Sequence, residues 1–175
     1  MSTKALQEQF TTIYQAQSDA IFRFCVLRVS DREQALDLVQ ETFARLWQSL
    51  TKGQKIDNAR GFLFTVAQRL VIDWYRKKKA VPFNRLESEE EDAAFDPPDT
   101  TLEGLGLGAE GRYLLGKIGE IGPSNRQAVY LRFVEGLSPG EIGDILGVSA
   151  NAASVRINRG LAELRKIAGY DISPS

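Results

Sequence analysis

Leu137-Ser-Pro-Gly-Glu-Ile-Gly-Asp-Ile-Leu-Gly-Val-Ser149 is the stretch on which the reading of this chain turns. Ser138 stands three residues before Glu141, the capping-box spacing in which a hydroxyl accepts from a first-turn amide and a carboxylate reaches back. Pro139 falls at the first helical position, where a missing N–H costs nothing. Leu146-Gly147-Val148-Ser149 is then a tight turn between two short helices, and the pair predicts a helix-turn-helix. In the helix that follows, Ala153, Ile157, Leu161 and Leu164 form the inward stripe. Ser154, Val155, Asn158 and Arg159 project away or sideways, with Arg156 on the flank. Near the start of a recognition helix, Asn and Arg can bond base edges or phosphates, and Val155 can touch a thymine methyl. A generic polar helix face is the plainer account, and the capped helix and turn that precede this one weigh against it.

Helical signals continue upstream. Ser30-Asp-Arg-Glu33 and Ser124-Asn-Arg-Gln127 also match the capping box. After Ser30, Leu36, Val39, Phe43, Leu46 and Leu50 recur at spacings of three and four, one stripe of a helix. Lys52-Gly53 breaks it, Asp57 and Asn58 can cap the next, and Leu63, Ala67, Leu70 and Trp74 form its stripe. Before Ser30, Phe10, Ile13, Tyr14, Ile21, Phe24 and Leu27 predict one or two more helices. Further on, helices are expected at about 110–121, 124–135, 138–146 and 150–168, closed by Gly122, Gly136 and Gly147. The fold class is therefore all-α, as two small helical domains. Residues 1–80 form the first and 110–175 the second, with a flexible acidic linker over 81–109 that carries Pro97-Pro98 and Gly104, Gly106 and Gly108.

Charge has to be read by position. Eight acidic residues and no basic one lie between Glu87 and Glu103. Setting those eight aside leaves 22 basic against 15 acidic residues, so a net charge of −1 hides a body of about +7. Residues 1–86 alone hold 14 basic and 8 acidic side chains. A near-neutral total thus does not argue against nucleic acid. Arg76-Lys77-Lys78-Lys79 ends a helix, where cations also suit the helix dipole. With Lys52, Lys55, Arg60 and Arg69 on the same unit, they can instead follow a phosphate backbone, with salt-sensitive affinity. Trp74 lies in the apolar stripe, which favours packing over stacking on bases; for Tyr75 both remain open.

Other chemistries find little support. With 43% hydrophobic residues the chain can build packed cores. No apolar run reaches the roughly 18–20 residues of a membrane span, and Met1–Phe10 lacks the apolar core of a secretory signal. Histidine is absent, removing the commonest base near neutral pH and the commonest metal ligand. Cys25, the single cysteine, sits beside Phe24 and Val26 and is expected to be an inert buried thiol. No phosphate-cradling glycine loop occurs, and the acidic run lacks metal-loop spacing. No catalytic residue, metal or cofactor is expected.

Three further stretches carry a resemblance. Asp37-Leu-Val-Gln-Glu-Thr-Phe-Ala-Arg-Leu-Trp47 resembles the core-polymerase-binding helix of bacterial sigma factors. Ala59-Arg-Gly-Phe-Leu-Phe-Thr-Val-Ala-Gln-Arg-Leu-Val-Ile-Asp-Trp-Tyr-Arg76 is similar to their promoter-melting helix. Ile121-Gly-Pro-Ser-Asn-Arg-Gln-Ala-Val-Tyr-Leu-Arg-Phe-Val-Glu-Gly136, with the helix-turn-helix after it, looks like their C-terminal domain. In that order they resemble the sigma-70 family, and the length and two-domain plan match its extracytoplasmic function group.

The resemblance implies a non-enzymatic role in promoter-specific initiation of transcription. Asp37, Gln40 and Glu41 would face the clamp of the polymerase largest subunit, with Phe43, Leu46 and Trp47 packing the domain. The minus-ten element, captured as an unpaired strand, would fall to Lys52, Lys55, Asn58, Arg60, Arg69, Tyr75, Arg76, Lys77, Lys78 and Lys79. The duplex minus-thirty-five element would fall to Asn151, Ser154, Val155, Arg156, Asn158 and Arg159. The family's recognition helix usually opens Gly-Thr-Val, a basic residue, Ser, Arg; here Asn151-Ala-Ala-Ser-Val-Arg156 stands there, and Gly143 replaces the usual alanine of the preceding helix. Expected partners are core RNA polymerase through clamp and flap, promoter DNA and an anti-sigma factor, with no small-molecule substrate, in the cytoplasm. The acidic linker would mimic RNA in the exit path, screen the basic domains or merely aid solubility. A stand-alone helix-turn-helix regulator and a protein-binding adaptor are the rival readings.

Overall fold

Ser2, Asp31, Asn58, Ser138 and Ser149 each cap the start of a helix with a side-chain oxygen. In the computed structural model, which describes residues 2–79, 105 and 107–169, the described residues form seven α-helices and no strand. The expected all-α class is what the structure has. The chain divides into two compact units, Met1–Val81 and Pro82–Ser175. Most of the acidic stretch expected as a linker lies outside the described residues.

The first unit holds α1 (Thr3–Val29), α2 (Arg32–Thr51) and α3 (Ala59–Lys79). The upstream apolar positions belong to one continuous 27-residue helix, opened by Ser2, whose Oγ accepts from Ala5 N–H at 3.1 Å. All three helices pack against one another. Their shared core is Ile21, Phe24, Leu27, Leu46, Leu63, Phe64 and Ala67, each at most 1% exposed, with the Phe24 and Phe64 rings edge to face at 5.4 Å. Burying a side chain of this size contributes about 1.5–3 kcal/mol, so the three apolar stripes hold the unit together. Arg28 is buried too; its Nη1 donates to Gln68 Oε1 at 2.6 Å, tying α1 to α3.

Two expectations need correction here. Ser30 does not open α2: at φ 57° it ends α1 in the left-handed region, its N–H donating to Val26 O. A residue so placed cannot also take the extended geometry of an N-cap, so Asp31 caps instead, accepting from Gln34 N–H at 3.2 Å. Leu36 is not in the buried stripe; it is 43% exposed. The stripe runs through Ala35, Leu38, Val39, Thr42, Phe43, Leu46 and Leu50, turned one residue from the expected start.

The second unit holds α4 (Ala109–Ile118), α5 (Pro123–Phe133), α6 (Pro139–Leu146) and α7 (Ala150–Ile167). The Ser138–Glu141 capping box forms in both directions, at 3.2 and 3.1 Å. Ser124 makes no such box. Gly122 is the N-cap of α5 and Pro123 its first residue, so Ser124 already lies inside the helix. Nor does Gly122 close α4, which ends at Gly119.

The helix-turn-helix is α6 and α7. Gly147, at φ 73°, reverses the chain, Val148 N–H donates to Gly143 O at 2.9 Å, and Ser149 Oγ accepts from Ala152 N–H at 3.0 Å. A Cβ on Gly143 would stand 2.7 Å from Val148 O. The glycine that departs from the family pattern therefore lets this turn lie directly on α6. Helix α7 packs on both α5 and α6, burying Ala153, Ile157 and Gly160, with Leu161 and Leu164 half-buried.

Candidate polymerase and nucleic-acid interfaces

Helix α2 presents its polar side outward because its apolar side is consumed by α1 and α3. Asp37, Gln40 and Glu41 are all exposed, while the neighbouring Leu38, Val39, Thr42 and Phe43 are buried. Glu41 Oε1 pairs with Arg45 Nε at 3.2 Å one turn on, an exposed contact of small energetic weight. Leu36 shares this face, one turn before Gln40, so the surface is a carboxylate and amide patch with an apolar end. Phe43 and Trp47 of α2 meet Phe10 and Tyr14 of α1 in an aromatic group, with Phe10 edge-on to Trp47 at 5.6 Å and Tyr14 to Phe43 at 4.8 Å.

The loop between α2 and α3 is built around Gly53, which takes φ 78°, and around Asn58. Asn58 Oδ1 accepts from Gly61 N–H at 3.0 Å, capping α3. Lys52 and Lys55 are exposed; the Lys55 ammonium stands 3.7 Å from Asp57. The loop walls an open cleft of about 540 Å³. Its opposite wall is Leu6 and Gln9 of α1, residues that nothing in the local sequence links to the loop.

Along α3 the basic residues do not form one stripe. Arg60 and Arg69 are nine residues apart, two and a half turns, so they point to opposite sides of the helix about 13 Å apart along its axis. Arg60, half-buried, belongs with the loop lysines. Arg69 shares a face with Arg76, seven residues on, and with exposed Asp73 between them. Lys77 and Lys78 are exposed, and the Lys78 ammonium lies 4.8 Å from the Trp74 ring centre. Trp74 itself is half-buried, its Nε1 donating to Gln34 Oε1 of α2 at 3.2 Å. That bond makes the indole a packing group, and Tyr75 is likewise half-buried. Lys79 closes the helix; its side chain lies outside the described residues.

In the second unit, Asn151, Val155, Asn158 and Arg159 are exposed at spacings of four, three and one. That is one continuous face of α7, opposite Ala153, Ile157 and Gly160. Ser154 and Arg156 flank it half-buried. Its start is capped by Ser149, so the helix enters the face rigidly. Among the described residues no group of three or more His, Cys, Asp or Glu is placed to hold a metal ion. No described helix is long and apolar enough to cross a membrane.

Residues 13–81 match the family model for sigma-70 region 2, and residues 112–164 match the one for sigma-70 region 4. The chain belongs to the sigma-70 family of RNA polymerase sigma factors. Within it, this sigma factor falls in the extracytoplasmic function group. It is 30% identical to the ECF RNA polymerase sigma factor SigE of Mycolicibacterium smegmatis, over 93% of this chain and 62% of that one. It is 26% identical to the ECF sigma factor SigX of Bacillus subtilis, over 92% and 84% of the two chains. The sigma factor thus spans less than two thirds of the SigE relative's length. Its fold is that of the sigma factor RpoE from Bartonella quintana, solved in complex with the anti-sigma factor NepR: TM-score 0.68, 19% identity, covering 94% of this chain and 99% of that one. The resemblance read from three sequence motifs is thereby borne out.

Proposed function

We propose that this sigma factor binds core RNA polymerase, carries it to a subset of promoters and helps open the DNA there. Both family regions occur in order on one chain, and the carrying observation is how each unit spends its helix faces. On α2 and α7 the apolar residues are buried, while Asp37, Gln40 and Glu41, and Asn151, Val155, Asn158 and Arg159, stay exposed. In this reading α2 docks on the clamp of the largest subunit, and the flap takes part of the second unit. The Lys52–Asn58 loop and the basic residues of α3, from Arg60 to Lys79, take the minus-ten strand. Asn58 there acts through the cap it gives α3. Helix α7, with Ser154 and Arg156 at its flank, reads the minus-thirty-five duplex.

The role is one of binding: the chain supplies contacts, polymerase supplies the chemistry, and the work is done in the cytoplasm. RpoE was solved with an anti-sigma factor bound, and an inhibitor of that kind is the partner proposed here. A stand-alone helix-turn-helix regulator would leave the whole first unit without a role. Transcription from a promoter library with core polymerase tests the reading. Discrete start sites that require this chain are expected. Failure to form a complex with core polymerase would overturn it, and a footprint on DNA without polymerase would favour the regulator.

A further inference from the structure

Helix α5 begins without a polar cap of its own, since its N-cap is Gly122. The cap comes instead from Glu163, 41 residues later on the helix proposed to read DNA. Gly122 N–H donates to Glu163 Oε2 at 2.7 Å, and Asn125 Nδ2 donates to Glu163 Oε1 at 2.7 Å. Both carboxylate oxygens are therefore engaged, each short enough to be a charge-assisted bond. The carboxylate also sits at a helix N-terminus, where the dipole favours negative charge.

One turn earlier, Gly160 lies directly against α5. A Cβ there would overlap Val129 Cγ2 and stand 3.2 Å from Asn125 O. Val129 Cγ2 occupies the space that a Gly160 side chain would take, so the two helices lie close together there. Glu163 adds a polar tie one turn beyond that contact. Its two bonds fix both the height and the rotation of α7 on α5, four residues beyond Arg159.

We propose that Glu163 is the positioning residue of the recognition helix, setting which side chains of α7 face the base edges of the promoter. This rests on the functional reading above. Rotation by one residue, 100°, would turn Val155 and Arg159 off the groove. Phosphate contacts tolerate such a turn better than base contacts do, because they carry position rather than sequence. Loss of Glu163 should then cost discrimination before it costs affinity.

The test uses holoenzyme and a promoter duplex selected from a random library by the wild-type holoenzyme, compared with the same duplex carrying a scrambled upstream element. Glu163→Ala is expected to lower the ratio of open-complex formation on the two templates at least fivefold, with little change on the scrambled one. Glu163→Gln keeps the shape but loses the charge, and Asn125 must turn its amide oxygen to the new donor, so it should fall between. Combining Glu163→Gln with Asn125→Asp reverses the second bond, the new amide donating to the new carboxylate, and should restore the ratio to within twofold. A ratio that Glu163→Ala leaves within twofold of wild type overturns the proposal, as does a loss that is equal on both templates. So does a double variant that stays low while circular dichroism shows its helices intact. A wild-type holoenzyme that does not distinguish the templates overturns the functional reading, and this inference with it.

Discussion

Cys25 is fully buried among the three helices of the first unit, and burial pushes its thiol from 9.0 up to about 12, against a smaller opposing pull from the Arg28 guanidinium. The thiolate is the reactive form, so alkylation of the native protein at pH 8–9 should proceed only as fast as the unit unfolds. Adding urea should accelerate it sharply. The sign of the pH effect follows from the folded value lying above the unfolded one. The folded state holds this proton more tightly, so its contribution is intact below pH 9 and is lost as pH rises toward 12. Stability should therefore fall less steeply over that range in Cys25→Ala than in wild type. Gly160 offers a second test at this scale. In an open helix interior, Gly→Ala gains about 1 kcal/mol. Here the added methyl meets Val129 and the Asn125 backbone, and overpacking costs about 1–3 kcal/mol. Gly160→Ala should lower Tm by on the order of a few degrees; a rise would mean the helices are not held so close.

At the scale of the helix, α2 keeps the face proposed to dock on polymerase clear because its apolar stripe is only half its circumference. Gln40→Ala with Glu41→Ala touches neither core nor cap, so the fold should be unaffected while affinity for core polymerase falls about tenfold, the effect of losing roughly 1.4 kcal/mol. Titration of labelled protein with core polymerase would measure it; unchanged assembly would remove these residues from the interface. The helices were legible in the sequence because caps and apolar periods are local signals. The Ser138–Glu141 box and the turn at Gly147 are held within a few residues, and both form. Ser30 and Ser124 carry the same signature and fail, because a neighbouring helix end or a proline had already fixed the backbone at each. Leu36 fits a spacing of three to Val39, yet the packing of α1 and α3 buries Ala35 in its place. The wall that α1 gives to the cleft and the reach of Glu163 to Gly122 depend on how helices are placed in space. No local spacing encodes them.

Over the whole molecule, the charge is divided rather than balanced. The eight carboxylates between Glu87 and Glu103 nearly cancel the excess of positive charge elsewhere. If those acids screen the exposed Lys52, Lys55, Arg69, Lys77 and Lys78, they hold the free sigma factor back from the nonspecific duplex binding that counterion release drives. Replacing the eight acids with Ser and Gln should raise DNA binding by the free protein at 50 mM salt by about tenfold or more, with the gain vanishing at high salt. Fluorescence anisotropy on a random duplex would detect it, and equal binding by the two proteins would reject the screening role.

Trp74, clasped between Gln34 and Lys78, and Trp47, set against Phe10, are the chain's two tryptophans. Both belong to the first unit, which makes the molecule optically one-sided. Indole emission will follow the melting of that half alone, while far-ultraviolet ellipticity records both. Where the two melting curves part, the gap between them measures directly how independently the halves come undone.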